Sequence, residues 1–223
     1  FLLARLTFIT DTVQLNQRGR VISVMAGLHR AGALVGPLVG GFSAEHIGYQ
    51  PVFIGAALLF AICLVTVVIF SKGGRHSQEK RKTVPIRQII GAQRHTFMTA
   101  GVVMVMLSFL RHSRVLMIPL VGVSLGLGET EVGLAFSLSS LVDMLMFFPA
   151  GLILDRAGRK YALAPSLFFL GTAIVLLPLA TGFVQFCGFA MLAGLGNGFG
   201  TGIFMTLGGD FSPSNGRSEF LGV

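Results

Sequence analysis

Apolar runs of about twenty residues recur along this chain, and each is long enough to cross the hydrocarbon core of a bilayer. One long polar stretch interrupts them: Lys72 to Arg94 carries seven of the seventeen Lys and Arg residues, with Glu79 as its single acid. The runs on either side of it, Pro51 to Phe70 and Phe97 to Pro119, are almost entirely apolar. A basic stretch between two such segments belongs on the cytoplasmic side of a membrane. That placement fixes the side of every other loop, and each can be checked against it.

Placing the stretch inside puts the loops at 11–20, 155–160 and 210–219 inside as well, with Arg18, Arg20, Arg156, Arg159, Lys160 and Arg217. The loops of the opposite side, 44–50, 120–131 and 182–184, hold no Lys or Arg. This asymmetry predicts complete spans over Val21–Ser43, Pro51–Phe70, Phe97–Pro119, Val132–Leu154, Ala162–Thr181 and Gln185–Gly208. Helices are expected rather than a barrel, because the runs are continuously apolar where barrel strands alternate.

Composition agrees with this reading. The chain is 53% hydrophobic and only 12% charged, against roughly 25% charged in soluble domains. The formal charge of +8 raises the question of nucleic acid. The bases, however, sit in short loops between spans rather than along one helical face, so no nucleic-acid partner is expected. Cys63 and Cys187 stand alone in apolar stretches, without the CxxC or nearby His of a metal site; both are expected to be buried small hydrophobes. No metal or cofactor is expected. The opening FLLAR is too short for a span and reads as the last turns of a helix that began earlier.

An internal echo organises the chain further. TDTVQLNQRGR at 10–20 and GDFSPSNGRSE at 209–219 each place an Asp seven residues before an Arg, Asp11 with Arg18 and Asp210 with Arg217, just after a run that heads inward. If each copy marks one six-span half, the chain runs from the end of the fourth helix to the start of the eleventh in a twelve-helix protein of two parallel halves. Residues 1–70 then end the N-terminal bundle, 71–96 form a basic cytoplasmic central loop, and 97–223 belong to the C-terminal bundle.

Residues 151–160 read GLILDRAGRK at the inner end of the fourth complete span. This resembles the loop signature of the major facilitator superfamily, GxLxDRxGRR, found between its second and third helices and again between its eighth and ninth. Gly151, Asp155, Arg156, Gly158, Arg159 and Lys160 match, and Ile153 stands where Leu is usual. The resemblance implies an all-α polytopic membrane protein with part of the major facilitator fold, six complete transmembrane helices of a presumed twelve. It also implies that this charged loop latches the outward-open state. Glycines let helix ends approach, and an Asp among cations makes a charge cluster that can break and reform.

The first complete span carries a second resemblance. Gly32, Gly36, Pro37, Gly40 and Gly41 are similar to the antiporter motif of drug:proton exchangers in the same superfamily, with Ser23 where that motif has a further glycine. Glycines four apart share a helix face and permit close contact, and Pro37 removes a backbone donor. The resemblance implies a secondary transporter that moves a small molecule by alternating access, a proton-coupled exporter of drugs or metabolites. A solute uptake symporter or uniporter of the same superfamily is the alternative. It further implies protons as the coupling ion, a monomer, no enzyme activity, and a place in the plasma or bacterial inner membrane.

Ionisable residues inside spans are costly and are functional candidates by default. Counted at 1.5 Å per residue from the inner ends, Arg30 lies roughly 14 Å deep, Arg111 about 21 Å and Asp143 about 16 Å, all near the midplane of a core about 30 Å thick. Asp143 is expected to couple protons, bind a substrate cation, or pair with Arg111 on the preceding antiparallel helix. Arg114, closer to the outer interface, is expected to snorkel. His29 and His112 are candidate proton relays or simple packing residues. The last complete span is rich in glycine, with Gly194, Gly196, Gly198, Gly200 and Gly202 around Asn197. It fits no dinucleotide fingerprint, and close helix packing with Asn197 toward a cavity is expected. GxSxG at 122–126 lacks the strand–turn–helix context of a nucleophile elbow.

Overall fold

The uncharged stretch Tyr49–Phe70 forms one helix of 22 residues, and its surroundings identify the solvent the protein folds in. A helix that is apolar all round must lie either in a protein core or in a membrane. Here none of its membrane-crossing window is buried by protein, and Phe53, Phe60 and Val68 are more than two-thirds exposed. Lipid is the environment that satisfies it. In the computed structural model, which describes residues 15–70 and 101–210, this helix is the second of six: α1 (Leu15–Ile47), α2 (Tyr49–Phe70), α3 (Val102–Ser124), α4 (Glu129–Ala157), α5 (Arg159–Leu176) and α6 (Phe183–Asp210). A short 3₁₀ turn, Leu177–Leu179, follows α5.

Five of these helices, all but α1, are long and apolar enough to cross a membrane. With 33 residues, α1 has the length, but Arg18, Arg20, Arg30 and its glycines dilute its hydropathy. The six predicted spans are therefore six helices. The basic stretch at 71–96, with Asp11 and Arg217 of the repeated loops, lies outside the described residues. Arg18 and Asp210 are placed as helical backbone at the ends of α1 and α6.

One helix end departs from the expected span over Phe97–Pro119. Pro119 lies inside α3, which runs on to Ser124. Neighbouring groups compensate for a missing backbone donor in membrane helices, so proline is tolerated within them. What ends α3 is Gly126, at φ 71°: its amide bonds to the Val123 carbonyl at 3.0 Å and that of Leu127 to the Gly122 carbonyl at 3.1 Å, the paired bonds of a Schellman cap. The GxSxG stretch is thus a helix terminus. Gly158, at φ 93°, is the only residue between α4 and α5. A side chain there would strain the turn, which gives the loop signature's glycine a local cause.

Helix α4 is central. It packs extensively on α1 to one side and on α6 to the other, α5 packs on α6, and α2 rests chiefly on α1. The main buried cluster joins Ile118 and Val121 of α3, Ala135 of α4, Leu177 and Ala180, and Phe186, Cys187 and Ala190 of α6. Cys187 is buried as expected, but Cys63 is exposed, because α2 has little protein around it.

Candidate functional site at the helix seams

Glycine decides how closely the helices approach. A Cβ on Gly41 would collide with the Glu129 carbonyl oxygen, and one on Gly133 with that of Pro37. Backbones of α1 and α4 therefore touch through this pair. Ser137 of α4 adds a 2.7 Å hydrogen bond to the Leu34 carbonyl, in the stretch of α1 where Pro37 offers no amide. Of the antiporter-like motif, Pro37 and Gly41 make this seam. A Cβ added at Gly32, Gly36 or Gly40 would meet nothing within 4 Å among the described residues, so their shared face is open there.

The other face of α4 is built more tightly still. A Cβ on Gly194 of α6 would run into the Ser139 carbonyl oxygen, and one on Gly198 would come within 2.6 Å of the Met146 Cβ. Toward α5, Gly196 would strike the Leu170 amide at 2.6 Å, and Ser166 donates to the Gly196 carbonyl at 2.7 Å. The glycine-rich helix is a packing element, as expected.

Between the two seams lies a polar network that joins four helices. Arg30 of α1 approaches Asp143 of α4, its Nη1 3.5 Å from Oδ1, and its guanidinium stacks 4.1 Å above the Phe147 ring. Asn197 of α6 donates from Nδ2 to Asp143 Oδ2 at 2.8 Å and accepts at Oδ1 from Arg111 Nε of α3 at 2.6 Å. Only this orientation of the amide satisfies both neighbours, since the guanidinium can only donate and the carboxylate only accept. Arg111 also donates to Thr201 Oγ1 at 2.9 Å. All four candidates thus converge: Arg30, Arg111 and Asp143, whose counted depths matched, and Asn197, which bridges them.

Two expectations are corrected. The ion pair of Asp143 is with Arg30; Arg111 reaches Asp143 through the Asn197 amide. The cause is packing: α4 runs closely along α1 but only lightly against α3, so α6 supplies the bridge. Arg114 does not snorkel. It is 7% exposed and turned toward α4, with Nη1 3.3 Å from Ser139 Oγ. His29 and His112 both stand exposed, and His112 Nδ1 lies 2.8 Å from the Ser108 carbonyl, a local contact within its own helix.

At the Glu45–Glu129 end of the same seam, sequence reasoning missed a set of contacts. The Thr130 amide, in the first turn of α4, donates to Glu45 Oε2 of α1 at 2.9 Å, and the Tyr49 hydroxyl of α2 donates to Glu129 Oε1 at 2.6 Å. A helix's first amides lack intrahelical partners and favour negative charge, so Glu45 caps α4 from a neighbouring helix. The Thr130 contact holds the Glu45 carboxylate below the usual carboxylate range. The available signal was the absence of Lys and Arg around these acids, which left a helix N-terminus as their natural partner. At the opposite end, Asp155, Arg156 and Lys160 are exposed at the α4–α5 junction and Gly151 is half-buried; Arg159 opens α5.

The chain matches the family model described as Major Facilitator Superfamily over residues 1–223. It is similar to Multidrug resistance protein MdtG of Citrobacter koseri, 27% identical over 84 residues, which is 38% of this chain and 21% of that protein. MdtG of Salmonella arizonae is 29% identical over 84 residues, again 38% of this chain and 21% of the relative; for Salmonella choleraesuis the figures are 27% over 92 residues, 41% and 23%. The matches thus take in about a fifth of the relatives' length. No solved structure matches the chain. With the loop signature, the helical architecture and a family match along the whole chain, this is a multi-pass membrane protein that belongs to the Major Facilitator Superfamily.

Proposed function

We propose that this chain is the middle of a proton-coupled exporter of drugs or other small molecules, in which α1–α2 and α3–α6 belong to two bundles that rock about a site at the bilayer midplane. The observation that carries the reading is the Arg30–Asp143–Asn197–Arg111 network. It sets Asp143, the one mid-span carboxylate among the described residues, against Arg30 of α1; in this reading proton uptake by Asp143 loosens the grip of Arg30 and favours separation of the bundles. The relatives' name, multidrug resistance protein, favours export. In this scheme the 71–96 stretch is a cytoplasmic linker between bundles. The 151–160 loop latches the inner side when the outer side opens, and the Glu45–Thr130 and Tyr49–Glu129 contacts close the outer side.

Asp143→Asn in the full-length protein tests the coupling. Reconstituted into vesicles, it should lose proton-driven accumulation yet keep exchange of substrate across the membrane, which needs no net proton movement. Undiminished accumulation would remove Asp143 from the coupling step.

A further inference from the structure

Three guanidinium groups and one carboxylate occupy the interior of the described spans. Of the nine acids in the sequence, only Asp143 lies in mid-span; Glu45, Glu129, Glu131, Asp155 and Asp210 stand at helix ends, and Asp11, Glu79 and Glu219 fall in polar stretches. Arg30 takes Asp143 as its ion partner, and Arg111 takes Asn197 and Thr201. Arg114 is the most deeply buried of the three, and its partners are weak. One Nη reaches a neutral hydroxyl at 3.3 Å, the Phe136 ring centre is 5.5 Å from its guanidinium carbon, and Nε has no hydrogen-bond partner among the described residues.

A buried cation in this state is unusual, because a guanidinium offers five donors in a planar fork that suits an oxyanion, and unpaired charge within a membrane is strongly disfavoured. The residue after its partner, Ser140, also buries a hydroxyl with no hydrogen-bond partner among the described residues. Arg111 lies three residues earlier on α3 and is only partly buried. An anion that first meets Arg111 therefore reaches Arg114 by a step of about 5 Å along the helix.

We propose that Arg114, with Arg111 and Ser139, forms an anion-binding site, and that the missing counter-charge is the carboxylate, sulfonate or phosphate group of a transported solute or an inorganic anion moved with it. This rests on the transporter reading above and adds the charge class of its cargo. It places proton chemistry on Asp143 and anion recognition on Arg111 and Arg114 of α3 with Ser139, one turn from Asp143 on α4, so a loaded site neutralises the excess positive charge before the bundles move.

The test is thermal unfolding of the full-length detergent-solubilised protein, a binding readout that needs no transport. Benzoate, benzenesulfonate and phenyl phosphate are compared with benzamide and benzylamine as neutral and cationic controls, and with chloride and inorganic phosphate. The aromatic anions should raise the unfolding temperature and the two controls should not. Arg114→Gln should fold at least as well without ligand, since it removes a buried charge that has no ion-pair partner among the described residues, and should bind the anions roughly tenfold or more weakly; Arg114→Lys should fall between. Stabilisation by the organic anions alone assigns the site to the solute's acidic group, and equal stabilisation by the inorganic anions assigns it to a co-transported ion. Three results would overturn the proposal: no anion-specific shift in the parent protein, an anion-specific shift that survives Arg114→Gln, or a marked loss of ligand-free stability in that variant, which would reveal a protein carboxylate as the partner. If the anion shift holds while Asp143→Asn still accumulates substrate on a proton gradient, the coupling reading fails and the anion site stands.

Discussion

The two faces of α4 are both made by glycine, yet they are built for different ends. Toward α6, Gly194 lets the backbone meet the Ser139 carbonyl and Gly198 lets it meet Met146 and the Asp143 backbone; beside the Asn197–Asp143 hydrogen bond, this close approach rests on dispersion, which a shift of even an ångström forfeits. Toward α1, close approach rests on the Gly41–Gly133 pair. Polar contacts join it: Ser137 to the Leu34 carbonyl, Arg30 to Asp143 and Thr130 to Glu45, with Tyr49 of the adjoining α2 bonded to Glu129. Hydrogen bonds can be handed over to water when a crevice opens, whereas interlocked backbones cannot be parted without leaving voids. The contrast is what a protein needs if α4 is to stay fixed to α6 while α1 is free to leave it.

The largest effect should come from attacking the fixed face. Gly194→Leu forces a side chain into the Ser139 carbonyl; overpacking of this kind costs about 3 kcal/mol or more. The full-length variant should yield little monodisperse protein after detergent extraction. Recovery at the parent level would mean that the α4–α6 seam is looser than its geometry implies.

Next in size is the ion pair across the separable face. Asp143→Asn strands Arg30, and leaving one member of a desolvated pair costs about 3 kcal/mol. Combining Arg30→Gln with Asp143→Asn should recover much of the lost thermal stability. A double variant as unstable as the single would show that Asp143 answers mainly to Asn197 and Arg111.

Gly133→Leu probes the same seam without touching a charge. It should leave the fold intact and hold the Ile47 end of α1 and the Glu129 end of α4 apart, because the Pro37 carbonyl occupies the space a side chain needs. Distances between spin labels at Ile47 and Leu127 of the full-length protein would lengthen. Unchanged distances together with normal yield would mean that the seam adapts, and the contrast between the two faces would narrow.

The smallest effect concerns Glu45, which is solvent-exposed. Its carboxylate is held below the usual range by Thr130, so its contribution to the α1–α4 contact is present above the ordinary carboxylate pKa and is lost as pH falls through the lowered one. Glu45→Gln should flatten that acid dependence slightly, read as external labelling of a cysteine placed at Gly128. An unaltered pH response would assign the dependence to Glu129 or another group.

Much of this molecule was legible without coordinates, for reasons that lie in the solvent. Twenty apolar residues have few options other than a spanning helix, and confinement of Lys and Arg to alternate loops sets the order of the spans. Depth counted along a helix axis brought Arg30, Arg111 and Asp143 near one level, because rise per residue is nearly constant. Tertiary structure alone decided partnership. Which side of α4 faces which neighbour depends on where small residues allow approach, and periodicity within one apolar helix does not record that. Hence Asp143 pairs with Arg30 rather than Arg111, Arg114 is buried rather than snorkelling, and Gly41 rather than the Gly32–Gly36–Gly40 row meets α4. In a membrane the apolar effect drives insertion but does not choose among lipid-like faces, so packing, and with it the site, is set by contacts between helices far apart in sequence.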